Sequence, residues 1–454
     1  MSAGIGVSIF APSAYPLGGV ADWLDYLTVG LEECGFVVTL CLASGCGHNV
    51  DEYLSRHPWS RVQVVANPTG SAEGRVRALV AAMRITEPDL LVSVNLVDVY
   101  EAVRRLRLKG GRVSSSVAMA LHGLQADLTE DIRREADVLD GVIATNRLSA
   151  LLAAEALGDA SRVHYAPYGV PGPNSAVGVR SVGSGLRLLY AGRIEQEQKR
   201  VLDLPPILSS LRASGVDARL SIAGGGPAEA ELRHAFDVSG LAGAVDWLGD
   251  LDPARLADAY RSHDALLITS VWETGPIVAW EAMSHGLPVV SSRYIGSGLE
   301  GALIDGRTAL LFEIGDIDGA VAAIQRLREP SVRDAVVSGG LALIRERYSR
   351  EASVAAWERA LRAIMTAPPK PPGPPRLSKP AGRLDRWFGV ERAEDIRRRL
   401  GIRFVPGSPG AAWPHSRSSS AGQPEFLARA RKVDRGEVVP VSTHVVARHW
   451  DLTE

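Results

Sequence analysis

At 454 residues the chain is too long for one ordinary hydrophobic core, so two domains of roughly 100 to 200 residues each are expected. A formal net charge of -2 removes any general electrostatic case for binding nucleic acid or an acidic membrane surface. Gly4 to Ala11 is a short apolar run without a basic leader, far below the roughly 18 apolar residues that a membrane span needs, and a cytoplasmic protein is expected. Cys34, Cys41 and Cys46 form no CxxC pair and read as reduced, buried or half-buried thiols.

Residues 5 to 11 (IGVSIFA) read as a strand, and apolar residues at helical spacing (Val20, Trp23, Leu24, Leu27, Leu31) predict a helix over 20–34. Gly18-Gly19 stands immediately before that helix. Glycines there let a backbone approach an anion while the helix start offers free N–H groups, although a plain strand-to-helix turn also explains the pair. Further strands are predicted at 36–42, 62–66, 90–94, 116–121, 141–144 and 165–170, with helical patterns such as 74–86 and 148–157 between them. That alternation predicts a parallel sheet covered on both faces. His122 leaves the strand VAMAL just before a glycine, where an imidazole can donate into a crevice or move a proton, with a capping or packing role as the plainer account.

Residues 171–185 are rich in Pro, Gly and Ser and read as a linker. The second half starts with a strand at 186–190 that runs into Gly192-Arg193 and, after two glutamates, Lys199. Two cations at a strand end can hold a diphosphate, or form a solvated charged loop. The strand at 219–223 ends in Gly224-Gly225-Gly226-Pro227, which is not GxGxxG, so a dinucleotide fingerprint is missing. A strand at 245–248 and a helix at 252–262 follow. The next stretch, 265–292, reads as strand, loop, helix and strand, with Pro276 opening the helix, Gly286 closing it, and two acids, Glu273 and Glu281, placed to face the crevice.

Helices are predicted at 317–327 and 351–365, and TAPPKPPGPP is an extended break. One amphipathic helix at 384–400 and a polar tail follow. Arg397, Arg398 and Arg399 offer contact with an anionic surface, or simply a solvated helix face. The division is therefore 1–170, a linker at 171–185, a second domain over 186–345, a closing helix within 346–365, and a proline-rich break with a partly disordered extension over 366–454.

In this order, the glycine pair, the strand-end histidine, GR with a lysine a few residues on, GGGP, and Glu273-x7-Glu281 followed by AMSHGLPVVSS resemble the retaining GT-B glycosyltransferases of family 4, the glycosyl transferases group 1. The resemblance covers residues 5 to 365 and is strongest from Leu186 to Phe312. It implies an α/β protein with two doubly wound, Rossmann-like domains facing across a cleft, an acceptor held mainly by the first and a nucleotide-sugar by the second. By the same resemblance, Arg193 and Lys199 bind the diphosphate, Glu281 accepts from ribose hydroxyls, and Glu273 binds the transferred sugar. Gly18 and Gly19 lie near the diphosphate and His122 near the sugar. Gly192, Gly224 and Gly225 allow close backbone approach, and the loop Thr274-Gly275-Pro276-Ile277 meets the phosphate or sugar through the N–H groups of Gly275 and Ile277.

The implied reaction is sugar transfer with retention, needing no metal and no cofactor beyond the donor, a UDP-sugar ahead of GDP-mannose. The implied partners are that donor and an acceptor, without nucleic acid, in the cytoplasm or at the inner face of a membrane. Two departures stand out: Tyr168 occupies a place where relatives commonly have asparagine, and Thr274-Gly275-Pro276-Ile277 replaces a proline, phenylalanine and glycine run. A catalytically silent binding or scaffold subunit on the same fold is the competing reading, and a dehydrogenase is disfavoured by the missing fingerprint.

Overall fold

The computed structural model describes residues 4–16, 18–108, 115–172, 185–368, 370, 373–376 and 378–438. Most of the expected linker, residues 173–184, and parts of the proline-rich break lie outside them.

The first sheet has seven strands: β1 (Ile5–Pro12), β2 (Phe36–Ser44), β3 (Val62–Ala66), β4 (Leu90–Val94), β5 (Ser116–Leu121), β6 (Gly141–Ala144) and β7 (Val163–Tyr165). Their order is β3-β2-β1-β4-β5-β6-β7, and every pair is parallel. The second sheet holds β8 (Gly185–Ala191), β9 (Asp217–Ala223), β10 (Val245–Gly249), β11 (Ala265–Ile268), β12 (Val289–Ser292) and β13 (Leu310–Phe312), in the order β10-β9-β8-β11-β12-β13. Its pairs are parallel too. Helices on both faces explain why β4, β6, β11 and β12 are buried along their whole length and read as apolar runs rather than alternating ones.

Local chemistry sets the joins. Asn146 caps the helix Arg147–Leu157 by accepting from the N–H groups of Leu148 and Ser149, and Gly158, at φ 72°, ends it in the left-handed region that glycine tolerates. The strand order reverses between β1 and β4 and again between β8 and β11. Crevices open at such points beyond the carboxyl ends of the strands.

Three expectations need correction. The strand predicted at 165–170 is instead Val163–Tyr165, and Val170 forms an isolated parallel bridge with Ser349. Val170 is held instead by the chain that returns from the second domain, donating to the Tyr348 carbonyl and accepting from the Arg350 N–H, while Tyr168 packs in the core of the first domain. Pro276 is the N-cap residue of the helix Ile277–Ser284 rather than its first residue, since its ψ of 99° is extended. The extension is folded through 378–438, against the expectation of a polar, partly disordered tail. Helices Arg383–Phe388, Val390–Leu400, Pro409–Ala412 and Gln423–Asp434 run along the first domain.

That extension is anchored by polar pairs more than by apolar periodicity. Glu394 accepts from Thr69 Oγ1 at 2.8 Å and Ser71 Oγ at 2.6 Å, Arg417 pairs with buried Asp98, and Arg429 with Glu155. Trp413 is buried and donates to the Ser44 carbonyl at 3.1 Å. The final helix also reaches the second domain: the Asp434 carboxylate accepts from the N–H groups of Gly296, Gly298 and Leu299 at 2.8 to 3.1 Å.

The helix Arg350–Thr366 crosses back to the first domain, where Trp357, Ala360, Leu361 and Ile364 join the core of Val7, Ile9, Trp23 and Leu27. Ser349 caps it through the N–H of Ala352.

Candidate active site

A cleft of about 1640 Å³ separates the two domains. From the first domain Gly18, Gly19, Asp22, Asp25 and His57 line it; from the second come Gly192, Arg193, Gly224, Gly225, Ile277 and Glu281. Gly18, Gly192, Arg193, Gly224 and Gly225 sit on the loops that follow β1, β8 and β9. Gly19, Asp22 and Asp25 lie on the helix after β1, His57 at the end of the helix after β2, and Ile277 and Glu281 on the helix after β11, so both reversal points face the same space. Gly19 and Ile277 touch across it, and a Cβ on Gly19 would collide with the Ile277 side chain. Gly224, at φ 117°, packs so closely on the Gly192 carbonyl that a Cβ would strike it. Its conformation and its backbone contact both require glycine, whatever ligand is bound.

Arg193 is 60% exposed, with only long contacts to Glu195 at 3.4 Å and Gln198 at 3.3 Å, so its fork is available to an anion. Lys199 is otherwise disposed. Its Nζ lies 2.6 Å from Glu273 Oε1, the same oxygen that accepts from Ser270 Oγ at 2.6 Å, while Gln198 reaches Oε2 at 3.4 Å. Glu273 is buried, and the two residues assigned by resemblance to the diphosphate and the sugar are here held by each other.

Glu281 has different surroundings. Its Oε2 accepts from the Tyr260 hydroxyl at 2.8 Å, and among the described residues no cation forms a salt bridge with it. Burial pushes its pKa up to about 7, with the Tyr260 hydrogen bond offsetting part of that rise and the charge of Asp22 adding to it.

The loop around Thr274 and Gly275 is fastened to the first domain. Thr274 Oγ1 donates to the His122 carbonyl at 2.8 Å, and Thr145 Oγ1 donates to the Thr274 carbonyl at 3.1 Å. Gly275, at φ 108°, lies where a Cβ would meet Tyr168 at 3.5 Å. His122 Nδ1 is 2.6 Å from the Tyr168 hydroxyl, and the imidazole packs edge-on against Trp23. Burial pushes its pKa down to about 3, so the ring is neutral, and its buried Nε2 has no partner among the described residues. His122, Lys199, Glu273, Thr274, Gly275 and Pro276 thus form the seam beside the cleft rather than its open lining.

Several site residues escaped the sequence reading. Tyr260 carries no motif signal. Asp22 and Asp25 lie one turn apart on the helix Gly19–Glu33, a spacing that could have marked them as sharing a face. Together with His57 they bring ligand-type atoms within 4.8 Å of one another. The donor set nevertheless suits an ion pair better than a metal: His57 Nδ1 lies 2.7 Å from Asp25 Oδ2, and Nε2 lies 2.7 Å from the Pro16 carbonyl. A carbonyl only accepts, so Nε2 carries the proton, and neither nitrogen presents a lone pair outward. Burial depresses the His57 pKa, but the bonds to Asp25 and Pro16 outweigh it, and the net shift is upward.

Residues 185–329 match the family model described as Glycosyl transferases group 1. Among curated relatives, a D-inositol 3-phosphate glycosyltransferase of Arthrobacter sp. (strain FB24) is 31% identical over 212 residues, covering 43% of this chain and 49% of that protein. A sulfoquinovosyl transferase of Arabidopsis thaliana is 32% identical over 143 residues, or 31% of this chain and 26% of that protein. The chain spans about half, or less, of the length of these relatives. Among solved structures, that of Anabaena Alr3699/HepE in complex with UDP and glucose superposes with a TM-score of 0.64 at 17% identity, covering 79% of this chain and 100% of that one. A sucrose-phosphate synthase from Thermosynechococcus elongatus gives 0.64 at 18% identity over 80% of this chain and 100% of that one. At such identities the superpositions establish the fold, and it is GT-B.

Proposed function

We propose, from the match of residues 185–329 to the family model described as Glycosyl transferases group 1 and from the GT-B fold, that the chain is a glycosyltransferase that uses a nucleotide-sugar and retains anomeric configuration. The observation that carries this reading is the convergence of Arg193, Glu281 and the Gly18-Gly19 turn on one interdomain cleft. Its volume of about 1640 Å³ exceeds the roughly 300–1,000 Å³ of a single small-molecule pocket, in keeping with a donor and an acceptor held together.

In the proposed reaction the bond between the anomeric carbon and the diphosphate oxygen breaks, and charge develops on the leaving diphosphate. Arg193 meets that charge through its fork, and Lys199 joins it by exchanging Glu273 for phosphate oxygen. The acceptor hydroxyl attacks the oxocarbenium-like carbon from the same face, and its proton passes to the departing diphosphate oxygen. Glu281 takes the ribose hydroxyls, and donor binding parts the seam so that Glu273 and the neutral His122 hold the sugar, the histidine through Nε2. The N–H groups of Gly275 and Ile277 face the donor. Two cations and a helix start stabilise a diphosphate without a metal, so we propose metal independence.

The donor we favour is a UDP-sugar, with GDP-mannose second, and the setting is the cytoplasm, in peripheral contact with the inner face of a membrane. Surface polysaccharide, glycolipid or secondary-metabolite assembly fits such an enzyme. Calorimetry with UDP-, GDP- and ADP-sugars, followed by a donor-hydrolysis screen without acceptor, tests the reading. One nucleotide should bind and its sugar should be released slowly. The mutual hold of Lys199 and Glu273 favours the competing reading of a silent binding subunit, and binding to none of the three nucleotide classes would establish that one instead.

A further inference from the structure

The chain's exposed apolar side chains are unevenly spread. Among the described residues, six of the fifteen large hydrophobic residues that are well exposed fall within 387–405: Trp387 at 72%, Phe388 at 49%, Leu400 at 69%, Ile402 at 39%, Phe404 at 39% and Val405 at 89%. Every well-exposed Trp and Phe of the described residues is in that set. A chain that buries Trp23, Trp280 and Trp357 completely has no packing reason to leave Trp387 in water.

The charge on the same segment is just as uneven. Residues 383–405 contain seven arginines and four acids in a chain whose formal net charge is -2. Three of the acids are already used. Asp385 pairs with Arg397 at 2.5 Å, Glu394 with Arg398 at 3.1 Å, and Asp395 with Arg77 at 2.5 Å. Arg397, one of the cluster expected to face an anionic surface, is itself buried against Asp385 and Phe404, so only its neighbours remain outside. Arg383, Arg386, Arg392, Arg399 and Arg403 are exposed, and among the described residues none has an ion pair.

The helix Val390–Leu400 turns one side to the helix Ala72–Thr86 of the first domain, with Val390, Ala393, Glu394 and Arg397 buried and Glu394 bonded to Thr69 and Ser71. The helix Arg383–Phe388 packs on Val390–Leu400 in turn, its buried Asp385 paired with Arg397. The unit is therefore fastened by its polar side, while its outward side carries aromatic and aliphatic tips among unpaired guanidinium groups. No helix of the described residues is long and apolar enough to cross a membrane. Aromatic and aliphatic side chains interleaved with cations have the composition that lies in the headgroup region, the aromatics entering the boundary and the arginines meeting lipid phosphate.

We propose that the outward side of residues 383–405 is a docking surface for anionic lipid, on which the first domain rests with Trp387 and Phe388 inserted. The proposal rests on the peripheral setting given above but not on sugar transfer, and vesicle binding without donor separates the two. Neither Trp387 nor Arg383, Arg386, Arg392, Arg399 or Arg403 borders the interdomain cleft.

The test is co-sedimentation of the full chain with vesicles of phosphatidylcholine alone and of phosphatidylcholine with phosphatidylglycerol, at low and at high salt. Binding should require phosphatidylglycerol and fall as salt rises. The triple variant Arg386→Glu, Arg399→Glu, Arg403→Glu should bind at least about tenfold more weakly, each reversed charge removing attraction to the surface. Trp387→Ser with Phe388→Ser should lose the part of binding that survives high salt. Unchanged circular dichroism and melting temperature of both variants keep the result from being one of misfolding. Wild-type protein that ignores phosphatidylglycerol vesicles, or a charge-reversed variant that binds as well, overturns the proposal. So does a lipid-free dimer that Trp387→Ser with Phe388→Ser converts to monomer, since the surface would then be covered by a second copy.

Discussion

Glu273 and Glu281 stand eight positions apart in one stretch of chain, yet their surroundings oppose each other. The first is buried beside a cation, with Lys199 at 2.6 Å and Ser270 donating to the same oxygen. The second has one phenol at 2.8 Å, and burial lifts its pKa to about 7. A shared motif therefore yields two different electrostatic elements. Glu273 sets the place of Lys199, and Glu281 is an acceptor whose charge depends on pH near neutrality.

The largest expected effect breaks the first half of that comparison. Lys199→Ala should lower turnover by about 100- to 1,000-fold with a small change in donor affinity, as for loss of one preorganised charge at a leaving group. It should also destabilise the fold by about 3–5 kcal/mol, because Glu273 is left buried without its cation. Lys199→Met combined with Glu273→Gln should restore the melting temperature without restoring turnover. A Lys199→Ala enzyme that transfers sugar at the wild-type rate would remove Lys199 from the mechanism.

Glu281→Ala acts on the other half. Loss of a charged acceptor should raise the dissociation constant for the nucleotide about tenfold to a hundredfold, read by calorimetry. The pH dependence sharpens the contrast. The native carboxyl titrates at about 7, against an ordinary value of 4.5, so between those values the native state binds more protons than the unfolded one. Stability should decline as pH rises from about 4.5 to 7, and Glu281→Gln should flatten that slope. Donor affinity should run the opposite way and strengthen as pH rises through 7, since the ionised carboxylate is the better acceptor. Tyr260→Phe removes the bond that favours the charged form and should move that rise to higher pH. Nucleotide affinity that is level from pH 6 to pH 8 would count against a titrating Glu281.

The smallest effect lies across the cleft. Tyr168→Phe leaves His122 Nδ1 without its partner in a buried site, which should cost about 1 kcal/mol and lower turnover a few-fold. Histidine NMR provides a readout that a purely structural loss would not move, since the ring's tautomer balance should change with the Tyr168 hydroxyl gone. An unchanged tautomer ratio would show that Tyr168 does not orient the imidazole.

The extension shows most plainly where reading the chain failed. Periodicity predicted one helix over 384–400, where the structure has two, Arg383–Phe388 and Val390–Leu400, divided at Gly389 with φ 76°, and the stretch beyond Leu400 looked like a polar tail. Its fold depends on Arg417, Ser418 and Arg429 finding Asp98, Asp131 and Glu155, carboxylates that stand more than 250 positions earlier in the chain. Hydropathy windows sum neighbours and contain no term for a partner at such a distance. The acids give only a faint hint: Asp98, Glu101, Asp131 and Glu135 are all buried, and nothing in their local sequence says that cations from the end of the chain would cover them.

Local sequence was sufficient for the two parallel sheets, because fully buried strands must be apolar runs, and helices between them must end in capping residues and glycines. It was sufficient as well for the order of motifs that brings Gly18-Gly19, Arg193 and Glu281 to one cleft, since a doubly wound sheet puts its strand-end loops on one side. Tertiary structure alone decided what each of those groups faces. Protonation and availability depend on burial and on atoms a few ångströms away, and these come from distant parts of the chain: Tyr260 for Glu281, Lys199 for Glu273, Tyr168 for His122, His57 for Asp25. Spacing along the chain can place a carboxylate at the rim of a site, but the field that sets its charge belongs to the folded protein.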